Sequence, residues 1–223
     1  MTFQVALIGS EGIVVGSDQL VNRQSNNENE NPTIEISRQE KFVKSDDDSL
    51  ICFFSGGPTC RNVASTIALH CTDTSMPSLR WETAVRTRVN NSQRLPEPRL
   101  GDVIIVVQKR ITNSIWLVQR PLEGPTDIYL YKDQICTGNN ALAKFLVTHL
   151  WNYSLTLPQL KKLALLALSY AAKENPGAIG APFDLMTLDN NHNIEWSHYE
   201  SLDTIFSSFD GKLKEAFNSQ IDM

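Results

Sequence analysis

Apolar positions open the chain as two short runs, Phe3 to Ile8 and Ile13 to Gly16, parted by Gly9-Ser10-Glu11-Gly12. Runs of this kind on either side of a turn composition predict a β-hairpin. The pattern then lapses. Asn22 to Pro32 is rich in Asn and Glu and has no hydrophobic period, which predicts an exposed polar loop, inserted over about residues 22–38. Lys41 to Lys44 and Leu50 to Phe54 form a second predicted hairpin around Ser45-Asp46-Asp47-Asp48-Ser49, and Ser55-Gly56-Gly57-Pro58 breaks the strand ahead of a helix starting near Thr59.

Arg61 to His70 and Leu79 to Val89 place their apolar residues on one side at helical spacing. Pro96 and Pro98 end that region. Asp102 to Gln108, Ser114 to Val118 and Ile128 to Tyr131 read as three strands, the first so rich in Val and Ile that it predicts burial. Two helices follow Gln134-Ile135-Cys136-Thr137-Gly138. One runs from Asn139 to Trp151; the other is opened by Thr156-Leu157-Pro158, an N-cap with proline in the first turn, and ends at Asn175-Pro176-Gly177. The second is apolar nearly all round and is expected between layers. Phe183 to Leu188 and Ile194 to His198 form a last hairpin, and Leu202 to Phe217 a closing amphipathic helix. The order of elements is an α+β pattern, without the regular alternation of a doubly wound sheet, and no linker divides residues 1–223, so one domain is expected.

Composition narrows the partners. A formal net charge of -5 and a pI near 5.4 provide no basic field for a phosphate backbone, so nucleic acid is excluded as a partner. No apolar stretch approaches the roughly 18 residues of a membrane span, and the N-terminus carries no signal-peptide pattern, so a cytoplasmic protein is expected. Cys52, Cys60, Cys71 and Cys136 lack CxxC spacing and sit in apolar segments, as buried thiols of a reducing compartment do. His70, His149, His192 and His198 have no metal-ligand spacing, and Asp46-Asp47-Asp48 lacks the alternating acids of a calcium loop. Neither a metal nor a cofactor is expected.

The N-terminal run TFQVALIGSEGIVVGSDQ resembles the start of proteasome β-subunits and of the HslV-type and Anbu-type bacterial peptidases, with Thr2 and Asp18 at the family's spacing. Lys41, in Glu40-Lys41-Phe42-Val43, matches the family's lysine at the start of the third strand, displaced by an insertion of about seven residues of a kind that leaves strand ends in place. Ser55-Gly56-Gly57 resembles the step whose glycine N–H forms the oxyanion hole, and Gly56 is the match. Cys136-Thr137-Gly138-Asn139-Asn140 resembles the strand-to-helix turn, and Ala171-Ala172-Lys173-Glu174-Asn175 with Phe183-Asp184-Leu185 the end of the long helix and the strand after it. The resemblance spans nearly the whole chain. It implies the four-layer αββα sandwich of the N-terminal-nucleophile hydrolases. It also implies a threonine-type endopeptidase acting on peptides or unfolded proteins, within a homo-oligomeric ring or spiral fed by an ATP-dependent unfoldase.

In that family Thr2, freed by removal of Met1, would be the nucleophile and its own α-amine the base. Lys41 would favour the deprotonated hydroxyl, Asp18 would fix Lys41, Gly56 would donate to the oxyanion, and Asn139 would help hold the amine. Active members carry serine and aspartate where this chain has Asn139 and Asn175, and asparagine supplies no negative charge. Three functions therefore remain open: the threonine peptidase, a structural subunit of the same ring, and an amidohydrolase acting on a small amide. The plain alternative for each residue also stands, with Thr2 a strand residue, Asp18 a turn acid, Lys41 a surface lysine and Gly56 a turn glycine.

Overall fold

The computed structural model describes residues 2–24, 34–56, 59–73, 75–92, 101–110, 113–138, 140–209 and 211. Asn139, most of the polar stretch (residues 25–33) and residues 212–223 lie outside them, as does much of the expected closing helix; residues 203–209 of that helix are helical.

Two five-stranded antiparallel sheets carry the chain. The first combines β1 (Gln4–Gly9), β2 (Gly12–Asp18), β10 (Gln134–Thr137), β11 (Phe183–Asp189) and β12 (Ile194–Tyr199), in the order β10-β1-β2-β11-β12. The second runs in chain order through β5 (Phe42–Lys44), β6 (Leu50–Ser55), β7 (Asp102–Gln108), β8 (Ser114–Arg120) and β9 (Asp127–Tyr131). Helices α1 (Cys60–His70) and α2 (Ser78–Asn91) join β6 to β7, and α3 (Ala141–Leu150) and α4 (Leu157–Glu174) join β10 to β11.

Three apolar clusters explain the patterning. One packs β1, β2 and β11 on α3 and α4; another packs β6, β7 and β8 on α1 and α2. The third lies between the sheets, where Ala6, Ile13 and Val15 meet Ile51, Phe53 and Ile105. Strand β7 has to be apolar on both faces, because Ile104 and Val106 turn to the helices while Ile105 and Val107 turn to the other sheet. Trp81 of α2 anchors the helical side, with its ring 4.8 Å from that of Trp116 and its indole N–H donating to the Cys71 carbonyl at 2.9 Å.

Helix starts follow local chemistry. Asn140 caps α3, its Oδ1 accepting the Ala143 N–H at 2.7 Å, and Gln159 Oε1 accepts the Thr156 N–H at 2.9 Å ahead of α4. Two expectations need correction. The flanks of the polar stretch are not loop: β3 (Leu20–Gln24) and β4 (Ile34–Arg38) pair as an antiparallel ribbon, Leu20 opposite Arg38. The alternation of Ile34 and Ile36 is the strand signal that the surrounding polarity obscured. Gln134 to Thr137, absent from the strands read from periodicity, is a strand pairing with β1, as a strand-to-helix turn at Gly138 requires.

Candidate active site

The end of the first hairpin supplies two of the expected groups. Thr2 precedes β1, and Asp18 closes β2 beside it, with Asp18 Oδ1 accepting the Phe3 N–H at 3.0 Å. Asp18 is fully buried. Its other oxygen faces the second sheet, where Lys41 sits just before β5 with its carbonyl held by the Phe54 N–H at 2.9 Å. Lys41 Nζ donates to Asp18 Oδ2 at 2.9 Å and to the Leu20 carbonyl at 2.6 Å. The sheets are thus joined by an ion pair at the end where Thr2 lies. Gln4 adds a second cross-link, its Nε2 donating to the Phe54 carbonyl at 3.0 Å.

Burial dominates the electrostatics of this pair. It pushes the Lys41 ammonium below its ordinary range, and the neighbouring Asp18 restores part of the loss. Burial likewise pushes the Asp18 carboxyl up, opposed by Lys41 and by the Phe3 N–H. A lysine only 4% exposed and an acid at 0% are not the surface lysine and turn acid that the plain reading offers.

Thr2 opens onto a cavity of about 500 Å³ that it lines with Ser55, Gly56, Gly138 and the ends of β7, β8 and β9. Gly56 has φ +153°, and a Cβ there would stand 2.7 Å from the Gly101 carbonyl. Gly138 has φ +87°, and a Cβ there would collide with the Thr2 carbonyl. The strand-to-helix turn therefore lies directly on the backbone of Thr2. Asn139, the next residue, is outside the described residues. Asn175 is the C-cap of α4, its carbonyl accepting the Ala178 and Ile179 N–H groups at 2.9 Å.

Other polar groups near this end had no role assigned to them from the sequence. Arg120 Nε donates to Asp102 Oδ2 at 2.8 Å, both side chains being buried, and Arg120 Nη1 bonds Ser92 Oγ at 2.7 Å. Beyond Asp18, Gln19 Nε2 donates to Asp184 Oδ2 at 2.6 Å, and Asp184 Oδ1 meets His198 Nδ1 at 3.0 Å. That hydrogen bond raises the His198 pKa above the ordinary imidazole range. The only legible hint of these groups was a polar residue inside an apolar strand, as at Gln4 and Asp184. Cys52, Cys60 and Cys71 are buried free thiols, each pushed up by burial, and half-buried Cys136 is pushed up to about 12, so none is set up as a nucleophile. Among the described residues no cluster of His, Cys, Asp or Glu could hold a metal, and no helix is long and apolar enough to cross a membrane.

No family model matches the sequence, and no curated protein does. Solved structures do match in shape. The Gly-1 mutant of Anbu from Hyphomicrobium sp. strain MC1 aligns over 100% of both chains with a TM-score of 0.76 at 16% identity. Anbu (ancestral beta-subunit) from Yersinia bercovieri aligns over 97% of each chain, with a TM-score of 0.71 and 14% identity. The Anbu complex from Pseudomonas aeruginosa, a helical assembly, aligns over 99% of this chain and 95% of its own, with a TM-score of 0.69 and 14% identity. At such identities the likeness is one of architecture: the chain has the fold of these Anbu proteins.

Proposed function

We propose that the chain is the N-terminal-threonine peptidase subunit of a proteasome-like, self-compartmentalising assembly, a single four-layer αββα domain that forms a homo-oligomeric ring or spiral. The observation that carries this reading is the buried Lys41–Asp18 pair, tied to the Phe3 N–H one residue from a threonine that lines a cavity. After loss of Met1, the α-amine of Thr2 takes the hydroxyl proton while Oγ1 attacks the scissile carbonyl carbon. The Lys41 ammonium lowers the energy of the developing alkoxide, and Asp18 holds the ammonium in place. The carbonyl oxygen becomes an oxyanion that the Gly56 N–H stabilises. The α-ammonium returns its proton to the leaving nitrogen as the C–N bond breaks, and water then hydrolyses the threonyl ester. By the family resemblance Asn139 would support the amine, while the Asn140 side chain is taken up by the Ala143 N–H and the Ala171 carbonyl. The substrate would be a peptide or unfolded protein, delivered in the cytoplasm by an ATP-dependent unfoldase.

A threonine-directed β-lactone or epoxyketone followed by peptide mapping tests the reading. The expected result is an adduct on a Thr2 that has lost Met1, absent from Thr2→Ala. Retained Met1 with no adduct overturns it and favours a second reading, an inactive structural subunit, which is supported by Asn139 and Asn175 where active relatives of the family carry serine and aspartate.

A further inference from the structure

Part of the cavity that Thr2 lines is built from the start of β7, the end of β8 and the start of β9. Register fixes which side chains face the threonine. Asp102 is paired with Arg120, Val103 with Gln119, and Gln119 with Asp127. Directly paired residues share a face of the sheet and successive residues alternate. Arg120 turns toward α2, where it bonds Ser92, and its charge is matched by Asp102 at 2.6 Å. Val103 packs on the core between the sheets, so Gln119 and Asp127 turn to that side, which is the side of β1 and Thr2. Ile128, the neighbour of Asp127, confirms the alternation by packing among α1, α2 and the helical face of the sheet.

Asp127 is half-buried and lines the cavity, yet its carboxylate has no hydrogen-bond or ion-pair partner among the described residues. Arg86 bonds the adjacent Thr126 carbonyl at 2.5 Å, but its charge is paired with Glu82 at 2.8 Å. Lys41 is likewise consumed by Asp18. Among the described residues the cavity that Thr2 lines thus presents one uncompensated carboxylate, and a carboxylate in a partly desolvated cleft is stabilised by a cation brought to it.

We infer that Asp127 makes the Thr2 cavity selective for substrate peptides carrying a Lys or Arg side chain next to the bond to be cleaved. The inference rests on the peptidase reading above and is tested by binding without turnover. Thr2→Ala removes the nucleophile and keeps the wall. Dye-labelled, N-acetylated peptides with a single Arg, or Gln in its place, scanned across the sequence, are titrated by fluorescence anisotropy beside an unblocked Gln peptide whose only cation is its terminal ammonium. At its best position the Arg peptide is expected to bind about fivefold tighter than its Gln counterpart. That advantage is lost in Thr2→Ala/Asp127→Asn and reversed toward Glu peptides in Thr2→Ala/Asp127→Lys. It survives Asp46→Asn, which removes the same charge from an exposed turn. Equal binding of Arg and Gln peptides, absence of binding included, overturns the inference. So does a gain confined to the unblocked peptide, or a preference that Asp127→Asn leaves intact. Hydrolysis by the chain with Thr2 in place is a separate readout: a basic preference in binding with no turnover overturns the peptidase reading and leaves the selectivity standing.

Discussion

Lys41 Nζ and Asp18 Oδ2 stand 2.9 Å apart with side chains 5% and 0% exposed, each anchored to a different sheet. A pair so placed gains strong attraction but has lost its hydration, so its net worth is small while the cost of breaking it is large. Lys41→Met is therefore expected to lose about 3–5 kcal/mol of unfolding free energy, because it strands the Asp18 carboxylate. Lys41→Met/Asp18→Asn should recover a substantial part of that loss. Urea titration of the three proteins measures it, and a double variant no better than the single one would mean that the pair is not coupled as the geometry implies.

Gly138 tests how the strand-to-helix turn holds the backbone of Thr2. Its positive φ strains any other residue, and the added methyl group of Gly138→Ala meets the Thr2 carbonyl. The clash is relieved if the threonine backbone is pushed away. Labelling of Thr2 by the epoxyketone is expected to slow about a hundredfold, as displacements near one ångström do, with the fold retained. Circular dichroism and the labelling rate, measured on the same sample, check both halves. Labelling at the original rate would show that the turn moves instead.

How much of this was legible depended on whether the backbone alone carries the information. Thr2 and Asp18 lie at the ends of one hairpin, so their spacing survives as sequence. Lys41 reaches Asp18 across the long polar stretch because the β3–β4 ribbon returns the chain, with Leu20 opposite Arg38. Strand β10 escaped notice since only four residues form it and only Ile135 and Thr137 are buried. The groups that act through tertiary contact left no pattern at all. Asp127 is one acid among many until the register turns it to the threonine side, and Gln4 is recognisable only once Phe54 of the other sheet is seen to accept from it.

Assembly gives a prediction independent of chemistry. The Pseudomonas aeruginosa Anbu complex is a helical assembly, and head-to-tail contacts of identical subunits close into rings or continue as spirals. The purified chain is expected to sediment as a homo-oligomer far above its 25.0 kDa. A stable monomer at micromolar concentration in light scattering would argue against the compartment.

The pH profile of hydrolysis probes the proposed roles of the two amines. The α-amine acts only when unprotonated, so activity should rise with pH through the ordinary range of such a group, about 7.7–8. Lys41 acts only when protonated, so activity should fall as it loses its proton. Burial lowers the Lys41 pKa, which means the ammonium is lost at a lower pH than an exposed lysine would require. The alkaline limb of kcat/KM is therefore expected below the ordinary lysine value of 10.5, closing the profile into a bell. Asp18 opposes the shift through its charge and its hydrogen bond, so Asp18→Asn should bring the alkaline limb still lower and shrink the maximum. The acid limb, which belongs to the α-amine, should move far less. An alkaline limb that stayed in place in Asp18→Asn would show that Lys41 is not the titrating group, and the electrostatic role given to it here would fail with that result.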